Sequence, residues 1–241
     1  MGKEDVFVRK KIGLAAAVLL LVCLMILCHK AGETLRRGIE ESRETGAQTA
    51  KNDNLIVLDA GHGGIDAGKL GVNGAEEKEI NFKIAIYTKE LLEKEGIQVV
   101  MTRSDDGRLG ESQVEDLKAR VSVMNENRPA LAVSIHQNSY HEESVKGPQV
   151  FYYTDSKEGE KAAGIIQNSL AETAGDHSKE AKANNTYYIL KKTEVPVVIV
   201  ECGFLSNYEE AEKLAQEEYQ RQIAQAVARG IAEYVGADGG R

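Results

Sequence analysis

The chain has 241 residues, enough for one good-sized domain with a short appendage, and its 42% hydrophobic content is that of an ordinary globular protein. A formal net charge of -8 without a long basic stretch argues against a nucleic-acid partner, because binding phosphate needs clustered Lys and Arg. The three cysteines do not make a disulfide framework, since Cys23 and Cys28 share one apolar run and Cys202 lies far away.

Arg9, Lys10 and Lys11 precede IGLAAAVLLLVCLMILC, an uninterrupted apolar run over residues 12–28. Its length is near the lower limit for a helix that crosses a bilayer. The exit, CHKAGETLRR, offers no small-x-small cleavage site, and Leu27 before Cys28 matches a lipoprotein processing site poorly, so the run reads as an uncleaved signal anchor. Residues 1–11 are then a cytoplasmic tail, and everything after the anchor lies outside the cytoplasm, in the cell envelope. Residues 29–54 are polar, charged and poor in large apolar side chains, which makes them a linker between membrane and domain.

From residue 55 the pattern alternates as βαβ units do. Strands are expected at 55–59, 97–102, 131–136, 149–153, 187–190 and 197–201, and helices at 76–95, 112–127, 157–173 and 208–235. Continuous apolar strands between amphipathic helices imply an α/β domain over residues 55–236, with a mostly parallel, twisted sheet of about six strands and helices on both faces. Residues 237–241 are a flexible tail.

Three of the apolar runs end on residues that can hold or serve a divalent metal: LIVLDAGH at His62, LAVSIH at His136 and VVIVE at Glu201. In a parallel sheet the carboxyl ends of separate strands open onto one crevice, so these distant residues can share a site. The glycines of DAGHGG let the backbone turn sharply beside His62; the rival, a phosphate-cradling loop, lacks GxGxxG spacing and GK[ST]. His136 alone would read as a core histidine, but Gln137, Asn138 and Ser139 follow at once and mark a hydrated edge. Glu76, Glu77 and Glu79 open the first long helix, where acids ordinarily complement the helix dipole, and spacing does not choose among them. One of them can point back to the sheet edge if the helix packs through Ile80, Ile84, Ala85 and Leu91. Glu201 closes an apolar run, so it reaches solvent, finds a partner or works as a base. Cys202 beside it reads as a small buried residue, because no histidine close in sequence suggests a thiol nucleophile.

DAGHGG, the Glu77-Lys78 pair in GAEEKEINFKIA, SIHQN and VECGFLSN, in that order and spacing, resemble the zinc-dependent N-acetylmuramoyl-L-alanine amidases of bacterial cell walls. The resemblance covers residues 55–235. It implies that His62, Glu77 and His136 hold Zn2+, the glutamate before lysine being the family's ligand, and that Glu201 is the catalytic acid/base. The substrate it implies is peptidoglycan, cleaved at the amide between N-acetylmuramic acid and L-alanine. A single domain on a short anchor is similar to the sporulation and germination amidases, which implies muramic δ-lactam formation in spore cortex. The alternatives are a zinc peptidase acting on another wall amide and a catalytically silent module that binds wall or protein. Many relatives read SIHAN, so Gln137 departs from the pattern at a place expected to touch substrate. Some also carry an arginine where this chain has Lys179 and Lys182, and no insertion between Asn138 and Gln149 is long enough for a plugging helix.

Overall fold

The computed structural model describes residues 52–239 together with Lys30. The expected anchor at 12–28 and the tail before it lie outside the described residues, as does the linker up to residue 51 apart from Lys30. Among the described residues no helix is long and apolar enough to cross a membrane.

Strand β1 (Asn52–Ala60) leads through a long loop to helix α1 (Glu77–Lys94), strand β2 (Gln98–Met101), helix α2 (Gln113–Asn127) and strand β3 (Pro129–Asn138). Then follow β4 (Gln149–Tyr153), α3 (Lys157–Ala174), β5 (Lys182–Asn184), α4 (Tyr188–Lys192), β6 (Val197–Phe204), α5 (Tyr208–Leu214) and α6 (Glu217–Gly239). The strands form one six-stranded sheet in the order β2-β1-β3-β6-β4-β5. Every pairing is parallel except β4 against β6. The expectation of a mostly parallel sheet with helices is met.

The strands read as unbroken apolar runs because both faces are covered. Ile56, Leu58, Leu131, Val133, Val198 and Val200 face a core built with α1, α3 and α6, to which Ile84, Ile166 and Val227 contribute. Their neighbours Val57, Ala132, Val197 and Ile199 face the other way, onto Val121 and Met124 of α2 and Ile189 and Leu190 of α4. Alternate strand residues thus go to opposite layers, as the pleat requires. Helix α1 packs through Ile80, Ile84, Ala85 and Leu92, so Leu92 takes the buried place expected for Leu91, which is only partly covered.

Two expected elements are corrected. The segment at 187–190 is not a strand: α4 spans Tyr188–Lys192, and the strand before it is β5, Lys182–Asn184. The tyrosines and isoleucine of this stretch favour extended backbone by composition, but packing decides otherwise, because a helical turn lets Ile189 and Leu190 both be buried against α2 and the sheet. The long final helix is two helices. It breaks at Ala215 and Gln216, where the Gln220 side-chain amide donates to the Leu214 carbonyl (2.7 Å) and closes the end of α5.

Candidate metal centre

The centre lies at the carboxyl ends of the three middle strands. In the β1-β3-β6 part of the sheet, Ala60 is in register with Ile135, and His136 with Glu201. His62 follows β1 by two residues and takes a left-handed conformation (φ 63°), with Gly63 and Gly64 also at positive φ. Three such residues in succession turn the chain sharply, and glycine at the second and third positions removes the steric cost there. Gly61 has a different task, since the His136 ring lies against it so closely that a Cβ would overlap the imidazole.

Burial separates the three acids at the start of α1. Glu77, the first helical residue, is 2% exposed, whereas Glu76 is half-buried and paired with Lys78 (3.3 Å) and Glu79 is exposed. Glu77 Oε1 lies 3.2 Å from His62 Nε2 and 3.0 Å from His136 Nδ1. The backbone N–H groups of Gln137 (3.1 Å, to Oε1) and Lys69 (2.8 Å, to Oε2) donate to the same carboxylate. One ligand atom from each of His62, Glu77 and His136 falls within 4.8 Å of the others, and no other such group occurs among the described residues. Two imidazoles and a carboxylate are a donor set that zinc accepts, with a fourth position left for water or substrate. The residues present therefore fit a zinc ion.

The charges agree with that chemistry. Burial pushes the Glu77 carboxyl up, but its hydrogen bonds and attraction to His136 and His62 outweigh this and hold it well below the usual carboxylate range. Burial likewise opposes protonation of His62, yet Glu77 and Asp66 raise the imidazole to about 9. A proton bound this tightly marks a place where positive charge is favoured, and a divalent cation supplies more of it.

Glu201 is not part of the ligand cluster. It sits on β6 beside His136, 8% exposed, and its Oε2 has no hydrogen-bond partner. A cavity of about 180 Å³, lined by Leu117, Tyr187, Tyr188, Ile189 and Ile199, borders Glu201 and His136. Burial pushes the Glu201 carboxyl up to about 7, with attraction to His136 opposing and repulsion from Glu77 adding. Such a group exchanges a proton readily near neutrality. Cys202 is fully buried and its thiol is pushed far up by burial, which agrees with a packing residue and not a nucleophile.

Gln137 does not face the cleft as expected. It is buried, its amide donates to Asn81 Oδ1 (3.2 Å), and Asn81 in turn donates to the Gly61 carbonyl (3.1 Å) and to Glu77 Oε1 (3.4 Å). The side chain after His136 is thus tied through Asn81 to the Gly61 backbone and to Glu77. Sequence reasoning missed Asp66, whose Oδ2 lies 2.9 Å from His62 Nδ1. An acid four residues after the histidine was its only trace. It also missed Asp59, visible as a charge at the end of LIVL, and its buried partner Arg120 (2.6 Å).

Comparison with known proteins follows the same lines. The family model described as N-acetylmuramoyl-L-alanine amidase (Amidase_3) matches residues 56–233. The germination-specific N-acetylmuramoyl-L-alanine amidase of Bacillus subtilis is 35% identical over 188 residues, which are 75% of this chain and 79% of the relative. The CwlD amidase of Clostridioides difficile, solved in complex with the GerS lipoprotein, superposes with a TM-score of 0.73 at 36% identity, over 76% of this chain and 99% of that one. The catalytic domain of CwlV from Bacillus (Paenibacillus) polymyxa var. colistinus superposes with a TM-score of 0.68 at 31% identity, covering 76% and 98%.

Proposed function

The chain belongs to the N-acetylmuramoyl-L-alanine amidase family, and from that premise we propose that His62, Glu77 and His136 hold zinc and that Glu201 is the acid/base of peptidoglycan hydrolysis. The observation that carries this reading is the convergence of the three ligand atoms within 4.8 Å, with Glu201 in register beside His136.

Zinc held there supplies Lewis acidity to the scissile carbonyl and lowers the pKa of water. The rest falls to the chain. As a carboxylate, Glu201 accepts the proton that water gives up on attack. As the acid, it returns that proton to the amine of L-alanine as the C–N bond breaks. Its burial beside Leu117, Tyr187 and Ile199 favours the neutral form enough to make both steps accessible near neutral pH. Asp66 holds His62 Nδ1, so Nε2 is the nitrogen presented to the metal.

The likeness to the germination-specific amidase of Bacillus subtilis supports spore cortex as the substrate, with stem-peptide removal leading to muramic δ-lactam. The reaction takes place outside the cytoplasm, and the apolar run at 12–28 anchors the domain to the membrane. The complex of the Clostridioides difficile relative with a lipoprotein makes such a protein the first partner to test.

Zinc stoichiometry of the purified protein, measured together with mass analysis of digested muropeptides, tests the reading. One zinc per chain and the appearance of stem peptides with free L-alanine amines are expected. Shortened stems still attached to glycan would show a peptidase instead, and unchanged muropeptides with zinc present would refute hydrolysis. Undiminished cortex δ-lactam after deletion of the gene would remove the spore role alone.

A further inference from the structure

Two buried guanidinium groups meet on the backbone that carries the ligands. Arg120, on α2, is 1% exposed. It donates from Nε to Asp116 (2.6 Å), from Nη1 to Asp59 (2.6 Å) and to the Ala60 carbonyl (2.8 Å), and from Nη2 to the His62 carbonyl (2.6 Å). Arg103, equally hidden in the loop after β2, donates from Nε to that same Ala60 carbonyl (2.9 Å) and from Nη2 to the carbonyl of Lys78 (2.8 Å), the residue after Glu77. Its Nη1 donates to the Asp105 carbonyl (2.7 Å), and its guanidinium lies 4.7 Å over the Phe82 ring. The Ala60 carbonyl, two residues before His62, thus accepts from both arginines.

Packing alone does not explain this investment. A buried ion pair must overcome the desolvation of both charges, and apolar residues of similar volume often hold two elements together at least as well. Apolar residues cannot, however, fix a carbonyl. His62 has a left-handed backbone, which is unfavourable for a residue with a Cβ and persists where its surroundings impose it. Arg120 Nη2 on the His62 carbonyl is such an imposition. Asp59 locks the arginine in turn, and is itself held by Thr102 Oγ1 (2.6 Å) and Ser134 Oγ (2.5 Å). The Ser112–Glu115 capping box fixes the start of α2, the helix that delivers Asp116 and Arg120.

We propose that Arg120 and Arg103 are positioning residues for the metal centre: they set the relative placement of His62 and Glu77 by holding the backbone of β1's end and of the start of α1. The proposal rests on the zinc reading above. It assigns the arginines to the geometry of the site and not to the stability of the fold.

The test measures zinc affinity by chelator competition at 25 °C, alongside the thermal unfolding of the zinc-free chain. Arg120→Lys keeps a buried cation for Asp59 and Asp116, and Arg103→Lys keeps one beside the Phe82 ring, but each loses the fork that holds the backbone carbonyls. Each is expected to bind zinc about 10–100-fold more weakly, as other losses of outer contacts to metal ligands do. Ile231→Ala, in the α6 layer, serves as the destabilised control and is expected to keep wild-type zinc affinity. Lysine variants that melt lower yet bind zinc as tightly as the wild type would overturn the proposal, because the arginines would then be structural only. If neither lysine variant folds, the proposal is also overturned, since it requires a fold that stands without the clamp. Failure of the wild type itself to take up zinc would instead refute the zinc reading.

Discussion

The Asp66 carboxylate lies 2.9 Å from His62 Nδ1, on the opposite side of the ring from the 3.2 Å contact between Nε2 and Glu77. A tight turn makes this possible. Gly63 and Asp66 exchange both backbone hydrogen bonds (3.0 and 3.1 Å), which folds the acid back onto the histidine just past the end of β1. With Nδ1–H donating to Asp66, the Nε2 lone pair is the one free for a metal.

Asp66→Ala should therefore weaken zinc binding by about 10–100-fold while lowering stability only modestly, because Asp66 is partly exposed and its carboxylate holds, besides the ring, the Gly68 N–H (3.0 Å). Excess zinc should restore activity. Chelator competition measures the affinity, and an affinity equal to that of the wild type would show that something else sets the tautomer.

Glu201→Gln separates the roles of the four polar residues. The amide keeps the shape and cannot take a proton, so turnover should fall by about 10²–10⁴-fold. Zinc content should stay at the wild-type level, since Glu201 lies outside the ligand cluster. In His62→Ala or His136→Ala zinc content should collapse, each variant removing one of three ligands. Equal loss of zinc in Glu201→Gln would contradict its assignment as acid/base.

Gly61→Ala tests the close approach of chain and ring. An added Cβ would overlap Cε1, Nε2 and Nδ1 of His136, so either the β1 end or the imidazole must move. Overpacking of this kind costs about 1–3 kcal/mol. The variant should melt a few degrees lower and lose zinc affinity more than its stability explains. A crystal structure with His136 in place and zinc bound normally would show that the loop yields instead.

Much of this arrangement was legible in the sequence. LIVLDAGH and LAVSIH could be placed near strand ends because runs buried on both faces stop where polar residues begin, whereas VVIVE does not close its strand: β6 runs on through buried Cys202 to Phe204, and Glu201 joins the site by its register with His136. Glu77 was not separable from Glu76 and Glu79 by spacing, since all three suit a helix start; burial distinguishes them in the fold, as family resemblance did in the sequence. The edge strand at Lys182–Asn184 gave no apolar signal because it pairs on one side only and faces water. The Arg120–Asp59 pair was hidden for another reason: its partners are 61 residues apart, and a buried arginine on a helix looks in sequence like an exposed one.

The charges of the site also predict how the zinc-free protein responds to pH. Glu201 has its folded pKa raised from 4.5 to about 7. The folded state then holds this proton more tightly than the unfolded state, so stability falls as pH rises from 4.5 through 7, by about 3 kcal/mol in all. His62 is raised from 6.5 to about 9, so its contribution is complete below pH 6.5 and is lost as pH rises through 9. Both groups act in the same direction, and stability of the zinc-free chain should decline steadily from pH 5 to 9. Glu201→Gln removes the first part of the decline, leaving a variant more stable than the wild type at pH 8 and similar at pH 4. Zinc reverses the second part, because it requires the deprotonated imidazole and gains affinity as that proton leaves. Urea unfolding at pH 5, 7 and 9, with and without zinc, should show the stabilisation by metal growing with pH. A zinc effect that shrinks over this range would mean that His62 is not a ligand.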